Sequence, residues 1–591
     1  MTTSKWFITA KKADFYKIGE KYKINPVLAR IIRNRDIITD EEIEQYLYGS
    51  LDKLHDPYLL YGMREAISLI KEKINNKKKI RIIGDYDVDG ICATFILKKG
   101  LEMCGACVDT VIPHRIKDGY GINEQLISEA KQDGVDTVIT CDNGIAAMEP
   151  VRLAKELNMT CIITDHHEVP FEETEEGKRF LIPQADVVID PKQECCTYPF
   201  KKICGAVVAW KLIMSLLQEY CVNQEQGNQL LELAGFATIC DVMELRDENR
   251  IIVKESLKSM AHTKNYGLAA LMKVHEIKPE NLSSYHIGFV LGPCFNATGR
   301  LDTAALTLEL LDCENEREAI LAAVHLKELN ESRKELTDQG VVRAMELVEE
   351  NHYEKDKVIV LYLPECHESL AGIIAGRIRE RYCRPTFILT EGEEGAKGSG
   401  RSIDSYHMYE EMTKCKHLFS RYGGHKLAAG LSMEKENIPV FRRVINENCT
   451  LQEEDFVEKI HIDIELPLAF VTREFISELN YLEPFGMGNT KPVFAKRNLA
   501  FLSMRIMGRN KDMAKFIVSD EEGNRFQMVL FRQLELFLEA VEEKYGKEEL
   551  EKLAANNRGL GDKIKMDIIY YPGINSYMGK EEIQFVIQEW K

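Results

Sequence analysis

The segment IRIIGDYDVDGICAT, Ile80 to Thr94, places three aspartates at alternate positions, Asp85, Asp87 and Asp89, between a β-branched apolar run and an apolar helical one. Adjacent carboxylates repel and raise one another's proton affinity unless something positive neutralises them. A divalent cation does this directly. Two further clusters follow: CDNG contributes Asp142, and DHHE contributes Asp165, His166, His167 and Glu168. Carboxylate and imidazole ligands without cysteine suit manganese, and also magnesium where water completes the coordination sphere. Two such ions about 3.5–4 Å apart allow a water to be deprotonated near neutral pH for in-line attack on phosphorus. Singly, each cluster has a plainer reading, Asp142 as a helix cap or turn residue and the two histidines as polar loop. Three acid or imidazole groups, each following an apolar run, point instead to a metal site.

The elements that must bring them together are legible as alternation. IRIIG (80–84), VDTVIP (108–113), VDTVIT (135–140), TCIIT (160–164) and VVID (187–190) read as short buried strands separated by helical patterns, the signature of a parallel sheet covered on both faces. Ligands of such sheets bind beyond the carboxyl ends of the strands, where the acids fall. Residues 1 to about 68 read as a helical N-terminal segment. Helical patterns run from 228 to 274 and from 319 to 352, the second a connector between lobes. A second αβ pattern begins with KVIVLYL at Lys357, in a domain expected over 353–450. Residues 455–591 are strand-rich, with a hairpin turning at Gly523-Asn524 and the outline of a small β-barrel.

At 591 residues, three or four domains are expected. The N-terminus MTTSKWFITAKK has no apolar core of a signal peptide, and no run reaches membrane-spanning length, so a cytoplasmic protein without membrane association is expected. The 16 cysteines are scattered through apolar segments, which favours core thiols over disulfides, and Cys104-x-x-Cys107 lacks a second pair for zinc. A net charge of −18 argues against wrapping nucleic acid indiscriminately but leaves room for a local basic channel.

DYDVDG, CDNG and DHH, in this order, resemble the DHH phosphoesterase superfamily. LGPCFNATGRLD (291–302), CDVMELRDENR (240–250), KGSGRS (397–402), RYGGHKLAAG (421–430) and EPFGMGNTKPVF (483–494) are similar to successive signatures of the bacterial RecJ family within it. The resemblance implies an α/β architecture: a parallel-sheet DHH domain (69–318), a long connecting helix, a second α/β DHHA1 domain, and a C-terminal OB-like β-barrel. It implies two Mn2+ or Mg2+ ions held by Asp85, Asp87, Asp89, Asp142, His166 and Asp241; from periodicity alone Asp241 would be a cap or core acid. It also implies that His167 faces the scissile phosphate, with Asp165 orienting the imidazoles, and that Arg300 holds the nucleic-acid backbone after Asn296. Ser399, Arg401, Gly423, Gly424 and His425 are then phosphate contacts, with glycines in turns admitting backbone N–H groups to phosphate. Asp190, where the family carries Asn, is set aside. Cys294, where the family carries Arg, removes one phosphate contact.

The function so implied is a 5′ to 3′ single-stranded-DNA exonuclease of DNA repair and recombination releasing 5′-mononucleotides, a monomer whose family-level partner is single-stranded-DNA-binding protein. Tyr570, Tyr571 and Tyr577 are candidate base-stacking residues of the barrel. Two alternatives are a DHH phosphodiesterase acting on short oligonucleotides or cyclic dinucleotides, and a non-catalytic scaffold that binds single-stranded DNA.

Overall fold

The computed structural model describes residues 4–115, 117–175, 177–392, 395–508, 511–555, 563–577 and 580–591. They form two compact units. One comprises 50–244 and 248–458, and the other 4–49, 245–247 and 459–591.

In the first unit, strands β1 (Lys79–Ile83), β2 (Cys107–Val111), β3 (Thr137–Cys141), β4 (Thr160–Thr164) and β5 (Val187–Ile189) form an all-parallel sheet in the order β2-β1-β3-β4-β5. The chain leaves β1 toward one side and returns on the other, so a crevice opens at the carboxyl ends of β1 and β3. Both faces are covered. Ile80 and Ile82 pack into one apolar core, while Ile83, Val138 and Ile163 pack into another. Helix α1 (Val88–Met103) is buried on nearly all sides, as an apolar run bounded by a capping aspartate should be. Among the later helices of this lobe are α2 (Gly205–Glu219), α3 (Gln224–Cys240) and α4 (Gly292–Leu301).

Helix α5 (Glu316–Glu350), capped by the Asn315 side chain on the Glu318 N–H, leads into a second sheet. Its strands are β6 (Ile359–Tyr362), β7 (Thr386–Gly392), β8 (Gly395–Arg401), β9 (Arg421–Gly424) and β10 (Ala428–Met433), in the order β9-β10-β8-β7-β6. Only the β6–β7 pair is parallel. The glycine-rich KGSGRS, expected as a turn, is therefore a central strand whose ladder hydrogen bonds run to both neighbours. Its glycines serve packing: a Cβ on Gly400 would lie 2.5 Å from Met408 Sδ and 2.6 Å from the Phe387 ring.

In the second unit, five strands close into a barrel: Phe494–Met507, Met513–Ser519, Arg525–Leu530, Lys580–Trp590 and Lys565–Tyr577, the last pairing back to the first. The Gly523-Asn524 hairpin falls between the second and third. The N-terminal segment expected to be helical begins instead with a strand, Lys5–Ile8, parallel to Lys459–Ile462, and residues 4–49 pack with this unit. Apolar β-propensity over Trp6-Phe7-Ile8 was masked by flanking lysines. Tyr570 is fully buried and donates its hydroxyl to Leu466 O, so it is a core residue and no stacking platform. Lys491 covers the Tyr571 ring at 3.6 Å, and the side chain of Tyr577 lies outside the described residues.

Candidate metal centre and adjoining anion cavity

The acids meet at the crevice. Asp87 caps α1, its Oδ1 accepting the N–H groups of Asp89 (2.9 Å) and Gly90 (3.1 Å). Asp89, within the first turn, accepts the N–H groups of Gly205 (2.6 Å) and Ala206 (2.8 Å), so the positive end of α2 holds it in place. Asp142 follows β3 in the left-handed region (φ 60°), a conformation Asp tolerates better than most residues. Its N–H donates to Thr164 O, tying the β3 end to β4. Next to it, the buried Asn143 side chain donates to Ile83 O and Cys141 O and accepts from Ile122 N–H, locking two strand ends and the loop after β2 together. Asp241, at the end of α3, arrives from the helical layer.

Three groups of ligand atoms lie within 4.8 Å of one another: Asp85, Asp87 and Asp142; Asp89, His166 and Asp241; Asp142, His166 and His167. His166 Nε2 lies 3.0 Å from Asp142 Oδ1, 3.4 Å from Asp89 Oδ2 and 3.8 Å from Asp241 Oδ2. All six residues expected as ligands are thus brought together, and His167 reaches the same place. Asp165 Oδ1 accepts the His166 and His167 backbone N–H groups and pairs with His167 Nδ1 at 2.8 Å, while Oδ2 accepts Ile145 N–H. It therefore orients the His167 ring, and it holds His166 through the backbone alone.

The electrostatics call for a cation. Burial, then the Asp87 charge, pushes Asp85 up to about 8; burial, then Asp89 and Asp87, does the same for Asp241. Asp87 and Asp142 are raised for the same reasons. Burial opposes a charged His167, but its hydrogen bond to Asp165 prevails and lifts it to about 9. Burial keeps the His166 ring neutral, the state a metal ligand needs, with the His167 and Lys192 charges adding to the effect. Asp85 Oδ1 and Asp241 Oδ2 are buried without a hydrogen-bond partner. Buried, mutually repelling oxygens left without donors, beside a neutral imidazole, fit hard divalent cations of the Mn2+ or Mg2+ kind. Asp190 lies outside the cluster, its carboxyl raised to about 7 by burial and then by Asp165.

Beside the centre, within the same unit, is a cavity of about 380 Å3 whose lining includes Tyr86, Arg115, Ser369, Ser399, Arg421 and Gly423. Arg300 donates to Ser369 O at 2.5 Å. Burial, then Arg115, Arg333 and Arg401, lowers its pKa to about 10, so it remains charged at neutral pH. Arg401 fits because Gly372 has no side chain; a Cβ there would sit 2.7 Å from its Nη2. Like charges gathered in this way make an anion site. Ser399 and Gly423 line it, whereas Asn296, Gly424 and His425 are not among its walls, and Arg300 and Arg401 stand behind those walls, Arg300 through its bond to the lining Ser369. Cys294 turns into the core, 3.3 Å from His275 Nε2.

Sequence reasoning missed several residues. Tyr120 donates its hydroxyl to Asp142 O (3.0 Å) and stands edge-on to the His167 ring, and Arg115 lies 4.8 Å from the centre of the Tyr86 ring. Their signal was the loop PHRIKDGYG at the end of β2, a strand end without an acid cluster to draw attention. Gly205 was also missed: a Cβ there would meet Asp142 Cβ at 2.8 Å.

A parallel sheet with a carboxylate–imidazole centre at its switch point, coupled to a second α/β lobe with an anion cavity, defines a DHH-type phosphoesterase. Family models match accordingly: DHH family, N-terminal domain, over 79–238; DHHA1 domain over 355–450; and RecJ OB domain over 462–589. The chain belongs to the RecJ family. It is 30% identical over 525 residues, 86% of this chain and 89% of the relative, to the single-stranded-DNA-specific exonuclease RecJ of Haemophilus influenzae. To the protein of that name in Bacillus subtilis it is 35% identical over 522 residues, spanning 88% of this chain but 64% of that relative's length. Among solved structures, RecJ of Thermus thermophilus in complex with Mn2+ superposes with a TM-score of 0.80 at 26% identity, covering 99% of this chain and 79% of that one.

Proposed function

We propose that this chain is a metal-dependent exonuclease that degrades single-stranded DNA from the 5′ end, releasing 5′-mononucleotides, in DNA repair and recombination. The observation that carries the reading is the convergence of Asp85, Asp87, Asp89, Asp142, His166 and Asp241 from four separate chain segments into one buried cluster. These six would hold two Mn2+ or Mg2+ ions. When bound, such a pair supplies Lewis-acid chemistry, acidifying water and offsetting charge on phosphoryl oxygens.

The chain's own groups do the rest. His167, oriented by its hydrogen bond to Asp165, faces the scissile phosphate and can donate to a phosphoryl oxygen or pass a proton to the departing 3′-oxygen. Arg115 and Arg421 in the cavity wall, with the charges of Arg300 and Arg401 behind it, draw the strand's phosphates in. The strand runs between the two lobes, and the OB-type barrel adds affinity for unstacked bases. The relatives named as single-stranded-DNA-specific exonucleases support this reading. The reading includes a monomer working in the cytoplasm alongside single-stranded-DNA-binding protein; no described helix is long and apolar enough to cross a membrane.

The test is digestion, with Mn2+, of a 5′-labelled long single strand, the same strand in duplex, and a dinucleotide. The label should leave the long single strand first, as a mononucleotide. Cleavage of the dinucleotide alone would move the chain to the small-substrate phosphodiesterases, and binding without cleavage would make it a scaffold.

A further inference from the structure

We propose that Lys192 is a further substrate-contacting residue of this centre, its ammonium taking a non-bridging phosphate oxygen of the DNA in exchange for Glu168. The inference rests on the nuclease reading above and deepens it.

Lys192 follows β5 in the turn Asp190-Pro191-Lys192, at the same sheet end as the metal cluster. The turn is fixed from two sides. Asp190 Oδ1 accepts the Lys192 N–H at 2.7 Å, and the Gln193 amide donates to Val188 O (3.0 Å) and Asp190 O (3.3 Å). Pro191 removes a further backbone freedom. The Lys192 side chain is then laid down rather than left in solvent, with 23% of its surface exposed.

Its ammonium ends 3.0 Å from Glu168 Oε1, on a side chain that is 87% exposed. An ion pair with so exposed a carboxylate is weak, and ordering a long lysine for it alone gains little. Glu168 directly follows His166 and His167 in the chain, so this pair sits at the mouth of the centre. The Lys192 charge also bears on His166 and on Asp241, after burial and the nearer charges, which places it within electrostatic reach of both. A compact, strongly hydrated ammonium whose partner is exchangeable, beside a site built for a phosphodiester, is suited to a phosphate oxygen. Glu168 acts as its placeholder until DNA arrives.

The test uses the full chain and three variants: Lys192→Gln, Lys192→Arg and Glu168→Gln. Binding of a fluorescein-labelled single-stranded oligonucleotide is followed by anisotropy in EDTA across a salt series, Mn2+ binding by calorimetry, and cleavage by steady-state kinetics. Lys192→Gln should lower kcat/KM about tenfold or more and flatten the slope of log affinity against log salt by about one. Lys192→Arg should recover most of both, and Glu168→Gln, by freeing the ammonium, should tighten binding in EDTA. A salt slope and kcat/KM unchanged by Lys192→Gln in a chain that does cleave DNA would overturn the inference. So would weakened Mn2+ binding with an unchanged slope, since Lys192 would then only shape the metal centre. Failure of the unaltered chain to cleave any single strand would instead overturn the nuclease reading beneath it.

Discussion

The metal centre and the anion cavity occupy one compact unit and solve opposite problems with the same device. In the metal centre, burial first and mutual repulsion second make four carboxylates hold their protons unusually tightly. Behind the cavity wall, Arg300 and Arg401 are crowded by Arg115, and both give up protons more readily than usual, burial being the larger cause. Each cluster is unstable in its own charge and is relieved by a ligand of the opposite sign. They differ in construction. The acids stand on consecutive strand ends and a helix cap, whereas the arginines come one at a time from a loop, a helix and a strand. A centre that must hold ions within tenths of an ångström is mounted on the rigid sheet; a cavity that grips a flexible polymer tolerates looser mounting.

The sharpest break of this comparison removes one acid. Asp142→Ala should cut cleavage on the order of 10³-fold while leaving oligonucleotide binding in EDTA nearly intact, because binding belongs to the other cluster. Equal loss of both in anisotropy and kinetics would mean the two regions are one. Gly205→Ala comes next. The added methyl must displace Asp142, and overpacking of this kind costs about 1–3 kcal/mol, so calorimetry should find Mn2+ binding about tenfold or more weaker. Unchanged affinity would show that α2 does not set the carboxylate geometry.

Arg300→Gln should do the converse of Asp142→Ala, weakening oligonucleotide binding about tenfold and flattening its salt dependence while Mn2+ binding holds. Loss of Mn2+ affinity in that variant would erase the distinction between the clusters. The smallest effect concerns pH. Asp85 and Asp241, raised to about 8, bind more protons in the folded than in the unfolded chain between roughly pH 4 and 8, so stability without metal must fall as pH rises through that window. Differential scanning calorimetry in EDTA should show Tm dropping by a few degrees from about pH 5.5 to about pH 8.5, and Mn2+ should abolish the drop. A Tm that climbs with pH in EDTA would contradict the raised carboxylates.

The sequence by itself determined the αβ alternation of both lobes, because five β-branched runs separated by amphipathic stretches have few other ways to bury their side chains. It also marked the acids, since a carboxylate directly after a buried strand can only lie at the sheet's carboxyl end. Tertiary structure alone decided what local pattern does not encode. Asp241 joins the cluster because α3 packs its end over the crevice, and nothing in ATICDVMEL announces that. KGSGRS is a central strand whose Gly400 is closed over by Phe387 and Met408 and whose Gly398 meets Leu389 and Leu431, a fact about neighbours distant in the chain. Arg115, Tyr120, Lys192 and Gly205 acquire meaning only from what stands opposite them. Periodicity and spacing record a residue's own element, while a site is a relation between elements, set by how they pack.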